Sequence, residues 1–367
     1  MRSRWIRGTK LLLVMTGCSG AEDAVSQQDR VAAGPGFDPE LVEVATSEAR
    51  WTGVAVSAGN RLFVNFPRWS EDVATSVAEI GPDGRPTPFP DARWNAWTPD
   101  ADPATHFVCV QSVYVDRVNR LWILDPASPW FGGVVPGGAK LLRVDLAADS
   151  VTRVYRFDPS VARPTSYLND VRVDVAADVA YITDSGSPGI VVLDLSSGRA
   201  WRTLDGVTVT RAEPITLTIG GRPWVGADGV SPSVHSDGLA LTADGRWLYF
   251  QALTGRTLYR IETVHLRDAG LPDAERTERV EVVGETGAAD GLIADADGWV
   301  YLSSLELDAI RRVSPSNQVE VLATDPRISW PDSFSFGPDG ALYFTTTRIH
   351  EGAAPTAAFA IYRLQRR

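Results

Sequence analysis

The hydrophobic pattern of the chain is a series of short apolar or alternating runs of four or five residues, separated by polar turns. Runs this short are typical of β-strands rather than helices. Many come in pairs joined by Asp-Gly or Gly-Asn, as at Asp244-Gly245, Asp339-Gly340 and Gly59-Asn60. Glycine and asparagine accept the positive φ of tight hairpins, so each pair predicts two antiparallel strands.

These paired strands recur six times along the chain. The units open at Thr52, Gln111, Asn169, Asp237, Asp290 and Asp332, and successive openings lie 59, 58, 68, 53 and 42 residues apart. A third strand follows in most units and a fourth in some, which predicts a four-stranded antiparallel blade. Six blades arranged radially form a β-propeller, whereas repeats of such unequal length would stack poorly as a solenoid.

The last unit contains only about three strands before the chain ends at Arg367. An alternating segment, ELVEVATSE, starts at Glu40 and lies outside the first unit. We expect this N-terminal strand to complete the sixth blade. The predicted fold class is therefore all-β, a six-bladed propeller over residues 37–367.

The first 18 residues read as a targeting segment. Four basic residues precede the apolar run LLLVMTG, and VMTGC resembles a bacterial lipobox in which Cys18 would carry lipid. Residues 19–36 are small and polar, as in a flexible tether. We expect an exported lipoprotein of the cell envelope, or a secreted or periplasmic protein if the lipobox is not used.

Composition and charge argue against nucleic-acid binding and against a membrane-spanning helix. The net charge is −11, and removal of the four basic residues of the leader would make it −15, so the surface repels nucleic-acid backbones. The chain contains no run of about 18 apolar residues, the length needed to span a bilayer. We expect a monomer that binds a small molecule, does not bind nucleic acid, and meets a membrane only through Cys18.

The residues that open the six units are the candidate site. The innermost strand of each blade lines the central channel, so the residues before these strands should meet at one mouth, with the Asp-Gly turns at the other. All six are polar, and Asp237, Asp290 and Asp332 are carboxylates that repel one another unless a cation or proton relieves them. Alternatively, such residues serve only to bond backbone amides and trapped water.

Long loops rich in proline and aromatic residues should reach the same mouth. Aromatic walls with a few convergent polar groups are the usual form of a small-molecule site, although packing under the loops is the alternative. The residues expected to form these walls are Trp94, Trp97, His106, Phe107, Trp130, Phe131, Trp224 and Trp330. The remaining cysteine, Cys109, is expected to be a buried structural thiol.

Several segments, in order, resemble the yellow/major royal jelly protein family. They are GVAVSAGNRLFVNFPRW, QSVYVDRVNRLWILD, AYITDSGSPGIVVLDLSSGRAWR, HSDGLALTADGRWLYFQALTGRTLYRI and WPDSFSFGPDGALYFTTTRIHE. The resemblance implies a bacterial member of a secreted, six-bladed family. Some members are associated with dopachrome conversion, and others bind biogenic amines or sterols.

The unit openings are also similar to those of the gluconolactonase/senescence-marker propellers, which hold a divalent metal. That resemblance implies metal ligands at Asp237 and Asp290 and a substrate-contacting amide at Asn169. The first-blade glutamate of that family is replaced here by Thr52, which weakens the site for a hard cation unless Asp332 substitutes.

Two functions from different classes follow, with a surface interaction scaffold as a third possibility. The first is binding of a small aromatic or amine-type molecule, with or without its isomerisation. Asp237 and Asp290 would then be catalytic, and Gln111, Asn169, Asp332 and Trp330 would bind the ligand. The alternative is a lactonase or ester hydrolase that depends on a divalent cation such as calcium, held by Asp237 and Asp290.

Overall fold

The computed structural model describes residues 37–366, and all but a few of the regular elements in this part of the chain are β-strands. They form six four-stranded antiparallel sheets, which confirms the predicted propeller. The predicted leader and tether, residues 1–36, lie outside the described residues.

The strands follow one another from the channel outwards in the first five blades. Blade one contains β2 (Val54–Val56), β3 (Leu62–Asn65), β4 (Val77–Ile80) and β5 (Pro86–Pro88). Blade two contains β6 (Ser112–Val115), β7 (Arg120–Asp125), β8 (Lys140–Asp145) and β9 (Ser150–Arg156). Blade three contains β10 (Leu168–Asp174), β11 (Val179–Asp184), β12 (Gly189–Asp194) and β13 (Ala200–Thr203). Blade four contains β16 (Ser236–Leu241), β17 (Trp247–Ala252), β18 (Thr257–Glu262) and β19 (Glu281–Glu285). Blade five contains β20 (Leu292–Ala294), β21 (Val300–Ser304), β22 (Ala309–Val313) and β23 (Val319–Thr324).

Blade six joins the two ends of the propeller. It contains β24 (Pro331–Phe336), β25 (Leu342–Thr346) and β26 (Phe359–Arg366), with the N-terminal strand β1 (Phe37–Ser47) outermost. The register runs from Phe37 opposite Arg366 to Ser47 opposite Phe359. The expectation that the N-terminal strand completes this blade is therefore confirmed.

The other elements are short and lie in the connections. They are the hairpin β14 (Thr218–Ile219) and β15 (Arg222–Pro223), the helices α1 (Ala92–Asn95), α2 (Thr263–Arg267) and α3 (Asp273–Thr277), and the 3-10 turns Pro129–Phe131, Thr208–Thr210 and Ile349–Glu351. No helix among residues 37–366 is long and apolar enough to cross a bilayer.

The core lies between the blades as well as within them. One buried cluster joins Trp122 and Leu141 of blade two to Val171 and Ile182 of blade three. Another joins blades six and one through Val54, Val64 and Ile361 in the same way. The inner strands contact one another in the closed order β2, β6, β10, β16, β20, β24 and back to β2. This packing holds the residues that open the inner strands around a single axis.

Candidate functional site

Five of the six predicted residues face one cavity at a mouth of the channel. The cavity, called the ring cavity here, has a volume of about 870 Å³. The polar residues at its floor are Gln111, Asn169, Asp237, Asp290 and Asp332. Thr52 is fully buried instead, and its hydroxyl bonds the carbonyl of Gln111 and the side-chain amide of Asn65. Thr52 therefore ties blade one to blade two and has a structural role.

The glycine that follows each of two ring aspartates explains how close the floor residues come. A Cβ at Gly238 would lie 2.1 Å from the carbonyl oxygen of Asp290, and one at Gly291 would lie 1.9 Å from that of Asp332. Neither contact is possible for a real side chain, so only glycine lets adjacent inner strands approach this closely. The pairs Asp237-Gly238 and Asp290-Gly291, which are not the Asp-Gly turns of the opposite mouth, thus allow neighbouring carboxylates to lie close together.

A directed chain of hydrogen bonds leads from the cavity wall to Asp237. The indole N–H of Trp69 donates to the Tyr167 hydroxyl at 2.6 Å, which donates to Gln111 Oε1 at 2.9 Å. Gln111 Nε2 donates to Asn169 Oδ1 at 3.2 Å, and Asn169 Nδ2 donates to Asp237 Oδ2 at 2.7 Å. Because an indole only donates, the direction of the whole chain is set at Trp69.

Asp290 is held by a second indole on the opposite wall. Trp330 Nε1 donates to Asp290 Oδ2 at 2.7 Å. Trp330 is fully buried and has a φ of 52°, a conformation that is costly for a bulky residue and persists only where its surroundings enforce it. Trp330 lines the ring cavity, and its role in binding a ligand stays a prediction.

Asp332 has an oxygen with no partner. Ser333 donates its hydroxyl to Asp332 Oδ1 at 3.1 Å, whereas Oδ2 is buried and makes no hydrogen bond within residues 37–366. An unpaired buried carboxylate oxygen is expensive, and the residue to which it belongs, Asp332, lines the ring cavity.

A fourth carboxylate, Asp170, joins the group and was missed from the sequence. It follows Asn169 directly, so a search for one polar residue per blade stopped one position too early. Ser112 donates to Asp170 Oδ1 at 3.0 Å, and Arg172 Nη2 lies 3.7 Å from its Oδ2. Burial raises the pKa of Asp170, while Arg172 lowers it less strongly.

Mutual repulsion and burial raise the pKa values of the carboxylates around the floor of the cavity. Burial raises the pKa of Asp237 well above its usual value, and the charges of Asp290, Asp170 and Asp332 add to this. Burial raises the pKa of Asp290 to about 6, opposed by hydrogen bonds from Trp330 and Asp237. Burial, Asp290 and Asp170 also raise the pKa of Asp332 well above its usual value. Burial and mutual repulsion thus raise the pKa values of Asp237 and Asp290 together, and the two carboxyls titrate as a coupled pair.

Aromatic rings form two walls above these carboxylates. On one side Phe131 packs against Trp69 and Tyr167, with ring centroids 5.1 and 5.3 Å apart. On the other side Trp330 meets Trp224 edge-on, with ring centroids 5.0 Å apart. His350 stacks on Trp330, with ring centroids 5.7 Å apart. Phe131 is 63% exposed, so it is open to a ligand entering the mouth.

The other predicted wall residues lie elsewhere. Phe107 is fully buried beside Trp94, in the core between blades one and two. Trp97 is buried near Trp130, and His106 bonds the Asp102 carbonyl. Sequence reasoning assigned these loops to the mouth correctly only for Phe131, Trp224 and Trp330, because loop conformation depends on packing that no local pattern encodes.

Cys109 is fully buried, as expected for a structural thiol. Burial raises its pKa to about 12, assisted by Asp125. At neutral pH it is protonated and a poor nucleophile.

The floor residues, as placed, do not fit a divalent cation. Asn169 presents an N–H, not an oxygen, towards Asp237, and the Trp330 N–H occupies Asp290 Oδ2. Calcium requires six to eight oxygen ligands. Among residues 37–366 no group of three or more His, Cys, Asp and Glu side chains is arranged to hold a metal ion.

Known proteins resemble the chain in both sequence and fold. The family model described as major royal jelly protein matches residues 108–335, more than half of the chain. Protein yellow of Drosophila subobscura is 27% identical over 228 residues, which are 57% of this chain and 39% of that protein. The chain thus matches only about two-fifths of this relative's length.

Solved structures with the same fold have low sequence identity. A gluconolactonase from Xanthomonas campestris has a TM-score of 0.56 at 16% identity, covering 91% of this chain and 98% of its own. Regucalcin, a calcium-binding protein from Agrobacterium tumefaciens, has a TM-score of 0.54 at 14% identity, covering 90% and 96%. These likenesses concern the fold alone, whereas the sequence match decides the family: the chain belongs to the major royal jelly protein family.

Proposed function

We propose that the protein binds a small aromatic amine in the ring cavity. The observation that carries the proposal is Asp332 Oδ2, a buried carboxylate oxygen without a partner on the floor of the cavity. A ligand ammonium supplies the missing donor and offsets the charge of the neighbouring carboxylates. A charge-assisted hydrogen bond of this kind contributes about 1.5–3 kcal/mol.

The aromatic walls account for the rest of the ligand. A ring that enters between Phe131 and Trp224 contacts apolar surface on both sides, and its ammonium lies near Trp330. Attraction between a cation and an indole face adds about 0.5–2 kcal/mol where water is excluded. A cavity of about 870 Å³ lies within the usual size range for small-molecule sites.

The proposal includes an isomerase activity that uses Asp237 and Asp290. One carboxyl of the pair holds a proton while the other accepts one, which is the arrangement that transfer of a proton between two positions of a bound molecule requires. Asn169, whose amide is oriented by Gln111, fixes which oxygen of Asp237 faces the ligand, because its hydrogen bond occupies Oδ2.

The metal-dependent hydrolase is the weaker candidate. It rests on the fold shared with gluconolactonases, and the N–H groups directed at Asp237 and Asp290 do not favour it. Metal analysis of the purified protein, with a lactone hydrolysis assay in the presence of calcium, tests it directly.

The test of amine binding is calorimetric titration with benzylamine, tyramine and the neutral analogue benzyl alcohol. We expect the amines to bind, and benzyl alcohol to bind at least about ten-fold more weakly because it brings no charge. Asp332→Asn should weaken amine binding by a similar factor. Asp339→Asn, an exposed turn residue of the same blade at the opposite mouth, is the matched control and should change nothing. Equal binding of benzyl alcohol and benzylamine would contradict the proposal.

We also propose that the protein is exported and anchored in the cell envelope through lipid on Cys18. The support is the basic leader that ends at VMTGC.

A further inference from the structure

The opposite mouth of the channel contains a second cavity with a different character. This turn-side cavity has a volume of about 590 Å³, and no residue lines both cavities. Each of the six inner strands contributes to its lining, and it opens beside the Asp-Gly turns. Its lining mixes polar and apolar residues, and the apolar ones include Val54, Val56, Leu241, Ile293 and Phe334.

Arg172 forms the inner end of the turn-side cavity. Its side chain extends from β10 across the channel, where Nη2 donates to the Leu292 carbonyl of β20 at 2.5 Å and Nη1 donates to the Val171 carbonyl at 2.7 Å. The guanidinium lies over the Tyr114 ring, 5.2 Å from its centroid. These contacts hold the cation in the wall of the turn-side cavity.

The guanidinium has more donors than the structure uses. Of its five N–H groups, two bond carbonyl oxygens, and Nε is buried with no partner within residues 37–366. Asp170 is the nearest carboxylate and lies at 3.7 Å, beyond good hydrogen-bond distance. A buried guanidinium with an unpaired N–H is unusual and costly. Since Arg172 lines the turn-side cavity, its remaining Nη hydrogens are candidates for bonds to a ligand oxygen.

The charges around the rim point to an anion. Asp116 and Asp295 line the cavity but are engaged by other groups, Asp116 by Arg120 and Trp122, and Asp295 by Tyr301 and backbone N–H groups. Arg117 and Arg366 line the same cavity, where Arg117 donates to the Ala243 carbonyl and Arg366 pairs with Asp297 at 2.9 Å. Arg117 and Arg172 are therefore the cations of the cavity lining that are without a carboxylate at hydrogen-bond distance within residues 37–366.

We propose that the turn-side cavity is a second binding site, for a small apolar molecule that carries a carboxylate. The carboxylate bonds the free edge of the Arg172 guanidinium beside the Tyr114 hydroxyl, and the apolar body lies against Leu241, Ile293 and Phe334. This ligand has the opposite charge to the amine proposed for the ring cavity. A chain of net charge −11 attracts anions poorly, so carboxylate binding here requires the local arginine.

The test uses 3-phenylpropionate and its uncharged amide, 3-phenylpropionamide, in calorimetric titrations with the whole chain. We expect the acid to bind at least ten-fold more tightly than the amide, since only the acid forms charge-assisted bonds with Arg172. Arg172→Gln should reduce binding of the acid to the level of the amide. Leu241→Trp, which places a larger side chain in the cavity and keeps Arg172, should abolish binding of both and covers the case in which Arg172→Gln fails to fold.

Phe131→Ala is the matched control, because Phe131 lines only the ring cavity. It should leave 3-phenylpropionate binding unchanged. Equal affinity for acid and amide, no binding of the acid, full binding to Leu241→Trp, or a loss of binding in Phe131→Ala would each overturn the proposal. None of these outcomes depends on amine binding in the ring cavity, so the two proposals fail separately.

Discussion

Replacing Asp290 with asparagine should stabilise the protein above neutral pH, which is unusual for a fully buried residue. The amide keeps an oxygen for the Trp330 N–H and offers an N–H to Asp237, so the hydrogen bonds survive while the charge is lost. If the site exists to bind a cation, the empty protein carries an electrostatic cost that this substitution removes.

The magnitude follows from the pKa of Asp290, which burial raises from 3.8 to about 6. Between these two values the folded protein keeps a proton that the unfolded chain has released, so stability falls as pH rises through this window and is level above it. A difference of about two pKa units, at about 1.4 kcal/mol each, corresponds to about 3 kcal/mol. We expect Asp290→Asn to match the wild type near pH 4 and to exceed it by about 3 kcal/mol at pH 8.

The assay is urea unfolding of both proteins at pH 4 and pH 8, with the slope of the transition checked for equality. Comparing variant with wild type at each pH cancels the contributions of groups remote from Asp290. Asp237 and Asp332 do not cancel: the Asp290 charge raises their pKa values, so its removal adds to the stabilisation at pH 8. Asp125→Asn is the control, because Asp125 is equally buried but pairs with the buried Lys140 at 2.7 Å. It should lose about 3–5 kcal/mol by leaving the lysine unpaired.

A structural role for Asp290 predicts the opposite result. If the carboxylate serves only to hold Trp330, the substitution costs about 1–3 kcal/mol at both pH values. Such a uniform loss would refute the reasoning for a strained binding site.

Amine binding should weaken as pH falls below about 6, since protonated Asp290 no longer attracts a cation. Calorimetric titration with benzylamine from pH 5 to 8 measures the affinity, and an affinity that does not change with pH would contradict the prediction. Phe131→Ala should weaken tyramine binding several-fold without changing the melting temperature, because the ring is 63% exposed; an unaltered affinity would remove Phe131 from the site. Deletion of residues 37–46 should lower the melting temperature sharply, because it uncovers the edge of β26 and removes the buried side chains of Leu41 and Ala45. Burial of the leucine alone contributes about 1.5–3 kcal/mol. A deletion variant with the wild-type melting temperature would show that β1 is dispensable. Cys18→Ala should release the protein from membrane fractions or block its processing, and membrane retention of a normally processed variant would exclude the lipid anchor.

The sequence alone determined the architecture and which residues gather at one mouth of the channel. Six recurrences of strand, turn and strand specify six blades, because each unit must bury its apolar faces against its neighbours. Register then determines that Gln111, Asn169, Asp237, Asp290 and Asp332 meet at one mouth, since residues that open equivalent strands approach the same axis. These inferences depend on local periodicity, which a sequence displays directly.

Only the tertiary structure decided what surrounds the ring. The orientation of the Asn169 amide is set by a chain of bonds that begins at Trp69, 100 residues earlier in the sequence. The role of Trp330 depends on a left-handed backbone position, and that of Asp170 and Arg172 on contacts across the channel. Such contacts join residues from different blades, and their side chains settle only when the ring has closed. For this reason the sequence indicates where the carboxylates gather, whereas the folded chain decides which of them lack partners.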